Sequence, residues 1–126
     1  MKARRLFVAL CLVAACSADN HPDPHAGTLT LRLINGGTND GALVLVISGG
    51  PVAGVTAGAG YVAVTTADGS GTHLLLTGNI APGPLAAIAV PDLSQLAAYT
   101  VTVEQAADRS TFALLDPIAY RAEVVR

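Results

Sequence analysis

The sequence predicts an all-β domain, an antiparallel β-sandwich or jelly roll of eight to nine short strands. Apolar and polar residues alternate in many short segments, which is the pattern of half-buried strands. Turn residues (Gly, Pro, Asn and Asp) separate these segments at intervals of roughly eight to twelve residues. The 126-residue chain has 13 glycines and 7 prolines, and it contains no segment that favours a long helix. This spacing is typical of a sandwich and not of a parallel α/β sheet.

The first two strands have different patterns. "TLTLRLI" (28–34) alternates, and its leucines at 29, 31 and 33 share one side. "NGGTNDG" (35–41) predicts a turn, with Asp40-Gly41 suited to positive φ. "ALVLVIS" (42–48) is apolar almost throughout, as expected of a strand at the centre of a sheet.

The middle of the chain continues with short strands. "VAGVTA" (52–57) predicts a short irregular strand, and "YVAVTT" (61–66) alternates. "ADGSG" (67–71) is a turn, after which "THLLLTG" (72–78) is expected to pair back as a hairpin. "LAAIAV" (85–90) follows the "APGP" turn and is apolar throughout.

The last third contains the one helical candidate and the final strands. "DLSQLAA" (92–98) spans about two helical turns and has Asp92 as a possible cap. "YTVTVEQ" (99–105), "STFALL" (110–115) and "YRAEVVR" (120–126) are predicted strands. Their predicted inward residues are Tyr99, Val101, Val103, Tyr120, Ala122 and Val124.

The aromatic residues of the domain are expected in its core. β-Sandwiches that bind sugars usually present an exposed aromatic platform, and this chain has no tryptophan. Tyr61, Tyr99, Tyr120 and Phe112 lie at alternating positions or near strand ends, which favours packing inside. The valine-rich strands are expected to be buried in the same way.

The N-terminus has the features of a secretory signal peptide. A basic head, Met1 to Arg5, precedes an uncharged apolar run from Leu6 to Ala15. A membrane span needs about 20 apolar residues, so this run is too short to be one. A Cys11–Cys16 disulfide is disfavoured because it would lie in a segment that is expected to be cleaved.

"VAAC" (13–16) resembles the lipobox of bacterial lipoproteins, with Val13 in place of the commoner leucine. The resemblance implies that Cys16 is acylated and that residues 1–15, including Cys11, are removed. Residues 16–26 would then form a lipidated N-terminus with a flexible tether, and residues 27–126 the β-sandwich domain. Several acyl chains on one cysteine anchor a protein firmly in a membrane. Ser17 follows that cysteine, which favours the outer membrane over the inner membrane.

A simple secretory cleavage is the alternative. Cys16-Ser17-Ala18 offers small residues at the positions that a signal peptidase requires. The product would be a secreted or periplasmic domain without lipid.

The charge of the exported chain is more negative than that of the whole sequence. The full chain has a formal net charge of −2, but residues 1–15 hold Lys2, Arg4 and Arg5. The remaining four arginines face nine acidic residues, which gives −5. A lysine-free acidic domain argues against binding to nucleic acid or to anionic lipid head groups.

Motifs that could carry chemistry are weak, and no cofactor is predicted. "HPDPH" (21–25) spaces two histidines four residues apart, but its prolines exclude a helix, and a solvated tether explains it. "DGSGTH" (68–73) brings Ser70 near His73 without the G-x-S-x-G elbow of a serine hydrolase. "NDG" and "DGSG" lack the acidic density of a calcium loop, so both are interpreted as turns.

One stretch resembles a known family. "GNIAPGPLAAIAVPD" (78–92), followed by "YTVTVEQ", is similar to the later strands of bacterial cohesin-like modules. The resemblance implies a nine-stranded jelly-roll sandwich, cohesin-like or immunoglobulin-like, whose sheet face docks a protein partner. We therefore expect a non-enzymatic envelope lipoprotein that binds a protein. Alternatives are a structural or small-ligand-binding lipoprotein and, less favoured, a small hydrolase that uses Ser70 and His73.

Overall fold

A computed structural model describes residues 24–126. The predicted signal peptide, Cys16 and His21 lie outside these residues. The described chain forms nine strands and two short 3₁₀ helices. In chain order the strands are β1 (Gly27–Asn35), β2 (Asp40–Ser48), β3 (Gly54–Ala57), β4 (Tyr61–Asp68), β5 (Gly71–Ile80), β6 (Gly83–Val90), β7 (Thr100–Asp108), β8 (Leu114–Leu115) and β9 (Arg121–Val125).

The strands form two antiparallel sheets, which confirms the predicted all-β sandwich. One sheet has the order β3-β6-β1-β9, and the other has the order β4-β5-β2-β7-β8. β2 therefore lies at the centre of the five-stranded sheet, as its continuous apolar sequence predicts. β4 and β5 form the expected hairpin, in which Asp68 pairs with Gly71.

Aliphatic side chains fill the space between the sheets. The leucines of β1 at 29, 31 and 33 are buried, which confirms their predicted side. They pack in one cluster with buried residues of the other sheet, Leu43, Leu45, Ile47, Leu74 and Leu76. Full burial of each such side chain contributes about 1.5–3 kcal/mol. This aliphatic layer is the core of the domain.

Asp40 is the one buried charged residue among those described. The prediction of positive φ at Asp40-Gly41 was wrong. Neither Asp40 nor Gly41 has positive φ; Asp40 instead begins β2 with its side chain inside. The Tyr120 hydroxyl donates to Asp40 Oδ1, and the Gly37 N–H donates to Oδ2 at 2.6 Å. A buried carboxylate needs such donors because it has lost its water. Asp40 therefore organises the turn that precedes it and connects the turn to Tyr120.

Two tyrosine hydroxyls form hydrogen bonds at opposite ends of the sandwich. Tyr120 precedes β9 in one sheet and donates to Asp40 of the other. Tyr99 precedes β7, and its hydroxyl donates to the Pro51 carbonyl oxygen at 2.6 Å on the β2–β3 connection. Gly50 leaves room for the Tyr99 ring, since a Cβ there would lie 2.7 Å from Cζ. Both rings pack against the core, as predicted.

The helical candidate is a 3₁₀ helix over Leu93–Ala98. Asp92 caps it as predicted, since its side chain accepts from the Ser94 N–H at 3.0 Å. A second 3₁₀ helix, Pro117–Ala119, begins after Asp116 in the same way.

Two burial predictions were wrong. Phe112 is 82% exposed with φ of 59°, because it lies in a turn in which its N–H donates to the Asp108 carbonyl. That turn also shortens the predicted "STFALL" strand to β8 alone. Val62 and Val64 are exposed because β4 turns Tyr61 and Ala63 toward the core.

We expect Tyr120→Phe to lower the free energy of unfolding by about 1–3 kcal/mol, because it leaves the buried Asp40 with one donor fewer. Burial and the Asp40 carboxylate raise the pKa of Tyr120 from 10.0 to about 12. The unfolded phenol therefore ionises first as pH rises, and the stabilisation is lost between about pH 10 and pH 12. Urea unfolding of both proteins from pH 8 to pH 11.5 tests this. A wild-type advantage that stays constant over this range would contradict it.

Candidate functional site

The outer face of the five-stranded sheet carries a continuous group of apolar side chains. Val64 lies opposite Leu75, which lies opposite Val44. The next row places Val62 beside Thr77 and Ala42, and Leu114 of β8 pairs with Ala107 at the far side. We call this group the apolar face. It consists of Ala42, Val44, Val62, Val64, Leu75 and Leu114.

The apolar face is open to solvent. Val62 is 64% exposed, Val64 57% and Leu114 74%. A shallow depression of about 120 Å³ lies between Val44, Leu75 and Leu114. A second, of about 270 Å³, lies beside the exposed ring of Phe112. Scattered exposed aliphatic residues are common, but a contiguous apolar group on one face usually marks an interaction surface.

The rim of the apolar face is mainly acidic. Asp68 and Glu104 lie on one side of it, at the end of β4 and within β7. Asp108 and Arg109 line the depression beside Phe112 on the other side. Backbone N–H groups of Ser110 and Thr111 donate to the Asp108 carboxylate and lower its pKa. The rim therefore carries three carboxylates against one guanidinium.

A polar cluster at this rim contains both residues of the predicted Ser–His pair. His73 Nε2 lies 2.9 Å from Asp68 Oδ2 and 3.1 Å from Ser70 Oγ. Ser70 Oγ also donates to Asp68 Oδ1 at 2.6 Å. The β4–β5 hairpin produces these contacts, because its two-residue turn brings position 68 beside 70 and pairs position 66 with 73.

Glu104 reaches the other side of the His73 ring, with Oε2 3.9 Å from Nδ1. The residue lies at a β-bulge, where the β2–β7 register shifts between Val44 and Leu45. A bulge leaves one residue without a direct partner and redirects its side chain. This redirection places a second carboxylate beside His73.

The cluster differs from a serine hydrolase triad. In a triad the acid holds the ring nitrogen opposite the serine, and the serine hydroxyl donates to the histidine. Here Asp68 and Ser70 share Nε2, and the short Ser70–Asp68 contact directs the hydroxyl toward the carboxylate. Glu104 is too far from Nδ1 for a hydrogen bond. These contacts are those of a hydrogen-bonded turn.

The hydrogen bonds of the turn shift the titration of Asp68. The Ser70 hydroxyl, the Ser70 N–H and the nearby His73 hold the pKa of the Asp68 carboxyl below its usual 3.8. Asp92 has the same arrangement with Ser94 and a pKa lowered for the same reason. The repetition of this motif at a helix cap indicates that it stabilises local backbone structure.

The other predicted site residues are dispersed. His25 is exposed; its carbonyl accepts from the Leu93 N–H at 2.7 Å, and His21 lies outside the described residues. Within residues 24–126, no group of three or more His, Cys, Asp or Glu side chains is arranged to hold a metal ion. No helix in this part of the chain has the length and hydrophobicity to cross a membrane.

Sequence reasoning missed the apolar face and Glu104. The sequence does contain a signal for the apolar face. β4 has apolar residues at its odd positions, Tyr61 and Ala63, and also at its even positions, Val62 and Val64. Apolar residues on both sides of a strand are typical of a strand that is buried on both faces. No sequence signal marks Glu104, since its position depends on the β2–β7 register.

Comparison with known proteins identifies no relative. The chain matches no protein-family model, no curated protein and no solved structure.

We expect Ser70→Ala to raise the pKa of Asp68 toward 3.8, because the Ser70 hydroxyl is the largest cause of its depression. The carboxyl carbon shift of Asp68, followed by NMR from pH 6 to pH 2, measures this. The stabilisation due to the ionised Asp68 is present above pH 3.8 and is lost as pH falls through the lowered pKa.

The matched control is Ser94→Ala, which should raise the pKa of Asp92 and leave that of Asp68 unchanged. An unaltered Asp68 titration in Ser70→Ala would mean that the hydroxyl donates elsewhere, for example to His73.

Proposed function

We propose that this chain is a non-enzymatic exported lipoprotein of a bacterial cell envelope, which binds a protein partner through its apolar face. The observation that carries the proposal is the exposure of aliphatic side chains on the neighbouring strands β4 and β5 and on β8. Removing such side chains from water contributes about 25 cal/mol per Å² of apolar area. The cohesin-like resemblance of residues 78–92 and 99–105 supports the same use of a sheet face.

The chemistry of the face specifies the kind of partner. Its centre consists of Val, Leu and Ala side chains with a shallow depression between Val44, Leu75 and Leu114, which suits an apolar partner surface. The acidic rim, with Asp68, Glu104 and Asp108, complements basic residues around that surface. The partner is therefore a protein with an apolar patch surrounded by Lys or Arg.

The N-terminus would hold this domain at a membrane. Acylation of Cys16 would fix the chain in the lipid, and residues 17–26 would span at most about 30 Å between the lipid and β1. The apolar face would then meet partners that are themselves part of the envelope.

A second candidate function is binding of a small ligand. A groove of about 500 Å³ lies between β7 and the segment around the second 3₁₀ helix. Asp116 and Arg121 line it with Tyr120 and apolar side chains. Its volume falls in the range of small-molecule sites, about 300–1,000 Å³, although this groove is open to solvent.

The anchor is tested by the intact mass of the protein from its native membrane fraction, with Cys16→Ser for comparison. We expect the wild-type chain to begin at Cys16 with added acyl mass and the variant to lack that mass. A wild-type chain that begins at Asp19 without lipid would show a secreted domain and overturn the anchor.

Binding through the apolar face is tested with a photo-crosslinking amino acid at position 75, in place of Leu75, in cells that produce the full chain. We expect an adduct with a second protein, and we expect Val64→Glu to abolish it by placing a charge in the interface. The matched controls are a crosslinker at Thr28 and the variant Thr28→Glu, since Thr28 is exposed on the other sheet. Adducts of equal yield at positions 75 and 28 would contradict binding through the apolar face. Circular dichroism of each variant confirms that it folds.

A further inference from the structure

β4 is an open edge of the five-stranded sheet. It pairs with β5 on one side and is the terminal strand on the other. In an antiparallel pair, alternate residues direct their N–H and C=O groups toward the partner strand and the rest direct them away. Outside the sheet ladders of the described residues, the β4 backbone makes one hydrogen bond, from the Tyr61 N–H to the Gly58 carbonyl. About half of its backbone polar groups therefore face outward without a strand partner.

The other sheet edges are protected in ways that β4 is not. β3 has four residues, and β8 has two. β9 carries alternating charges, Arg121 and Glu123. β4 has eight residues, is free of proline and is uncharged from Tyr61 to Ala67. Short length, charge and proline are the features that keep edges from pairing. β4 is long and free of proline, and its one charged residue, Asp68, lies at its end.

We propose that two copies of the chain pair antiparallel through β4 and form one continuous ten-stranded sheet. A two-fold axis through Val64 places Val64 opposite its own copy, Val62 opposite Thr66, and Tyr61 opposite Ala67. The uncharged segment is centred on Val64, so this register pairs all seven of its residues. Asp68 then falls opposite Gly60, and no two like charges oppose each other.

The same register explains why the occupant is a second copy. Directly opposed residues of an antiparallel pair point to the same face, so Val62 and Val64 of both copies meet on one surface. Among the described edges, each chain has one edge of this kind. Once two copies have paired, neither has such an edge left for a third copy, so the assembly is a closed dimer. The inference rests on the strand edge and stands whether or not the apolar face binds a further protein.

The test is the mass of the purified full chain in neutral detergent, by sedimentation with the detergent density-matched. We expect two chains per particle for the wild type and one for Thr65→Lys. Thr65 is exposed and lies on the side of β4 opposite to the apolar face. A lysine there hinders edge pairing and leaves the apolar face unchanged. Thr28→Lys is the matched control and should remain dimeric, because position 28 lies in β1 of the other sheet, where it pairs with Ala89 of β6.

A second measurement guards against misfolding of the variant. Val64→Cys should give a disulfide-linked dimer under mild oxidation, and Thr28→Cys should not. A monomeric wild-type chain, or a Thr65→Lys variant that remains dimeric, would overturn the proposal. A monomer that takes up a strand of another protein along β4 would also overturn it, because the occupant would then not be a second copy.

Discussion

The aliphatic layer between the two sheets is the constraint on which the rest of the structure depends. Leucines at alternating positions of β1, β2 and β5 form its centre together with apolar residues of β6 and β7, and Asp40 is the one buried charged residue among those described. A strand has two faces, so fixing one set of side chains inside fixes the other set outside. The exposed position of Val62, Val64 and Leu75 therefore follows from the packing of their neighbours in the core.

Most of the fold could be predicted from the sequence, but little of the candidate site could. Alternation identified β1 and β9 and their inward residues, because a period of two is a local property. It failed at Asp40 and Phe112, where burial is decided by contacts distant in sequence or by a turn that ends a strand. Glu104 approaches His73 only through strand register, which no local pattern encodes.

The β4–β5 hairpin combines three properties in one element. Its turn forms the Asp68, Ser70 and His73 cluster, its outward residues belong to the apolar face, and its free side is a sheet edge. The Ser70 hydroxyl, the Ser70 N–H and the nearby His73 account for the lowered pKa of Asp68. The outward valines of β4 take no part in these turn contacts and are exposed.

The bond between Tyr120 and Asp40 has a consequence for how the chain acquires its structure. Asp40 begins the second strand, and its donor is 80 residues further along the chain, just before the last strand. β9 in turn closes its sheet against β1, the first strand. Contacts of such long range form slowly and require both ends of the chain. A ribosome synthesises the N-terminal strands first, so the buried carboxylate has no tyrosine donor until residue 120 has been added. The domain therefore completes its fold in one late step, when β9 becomes available to pair with β1.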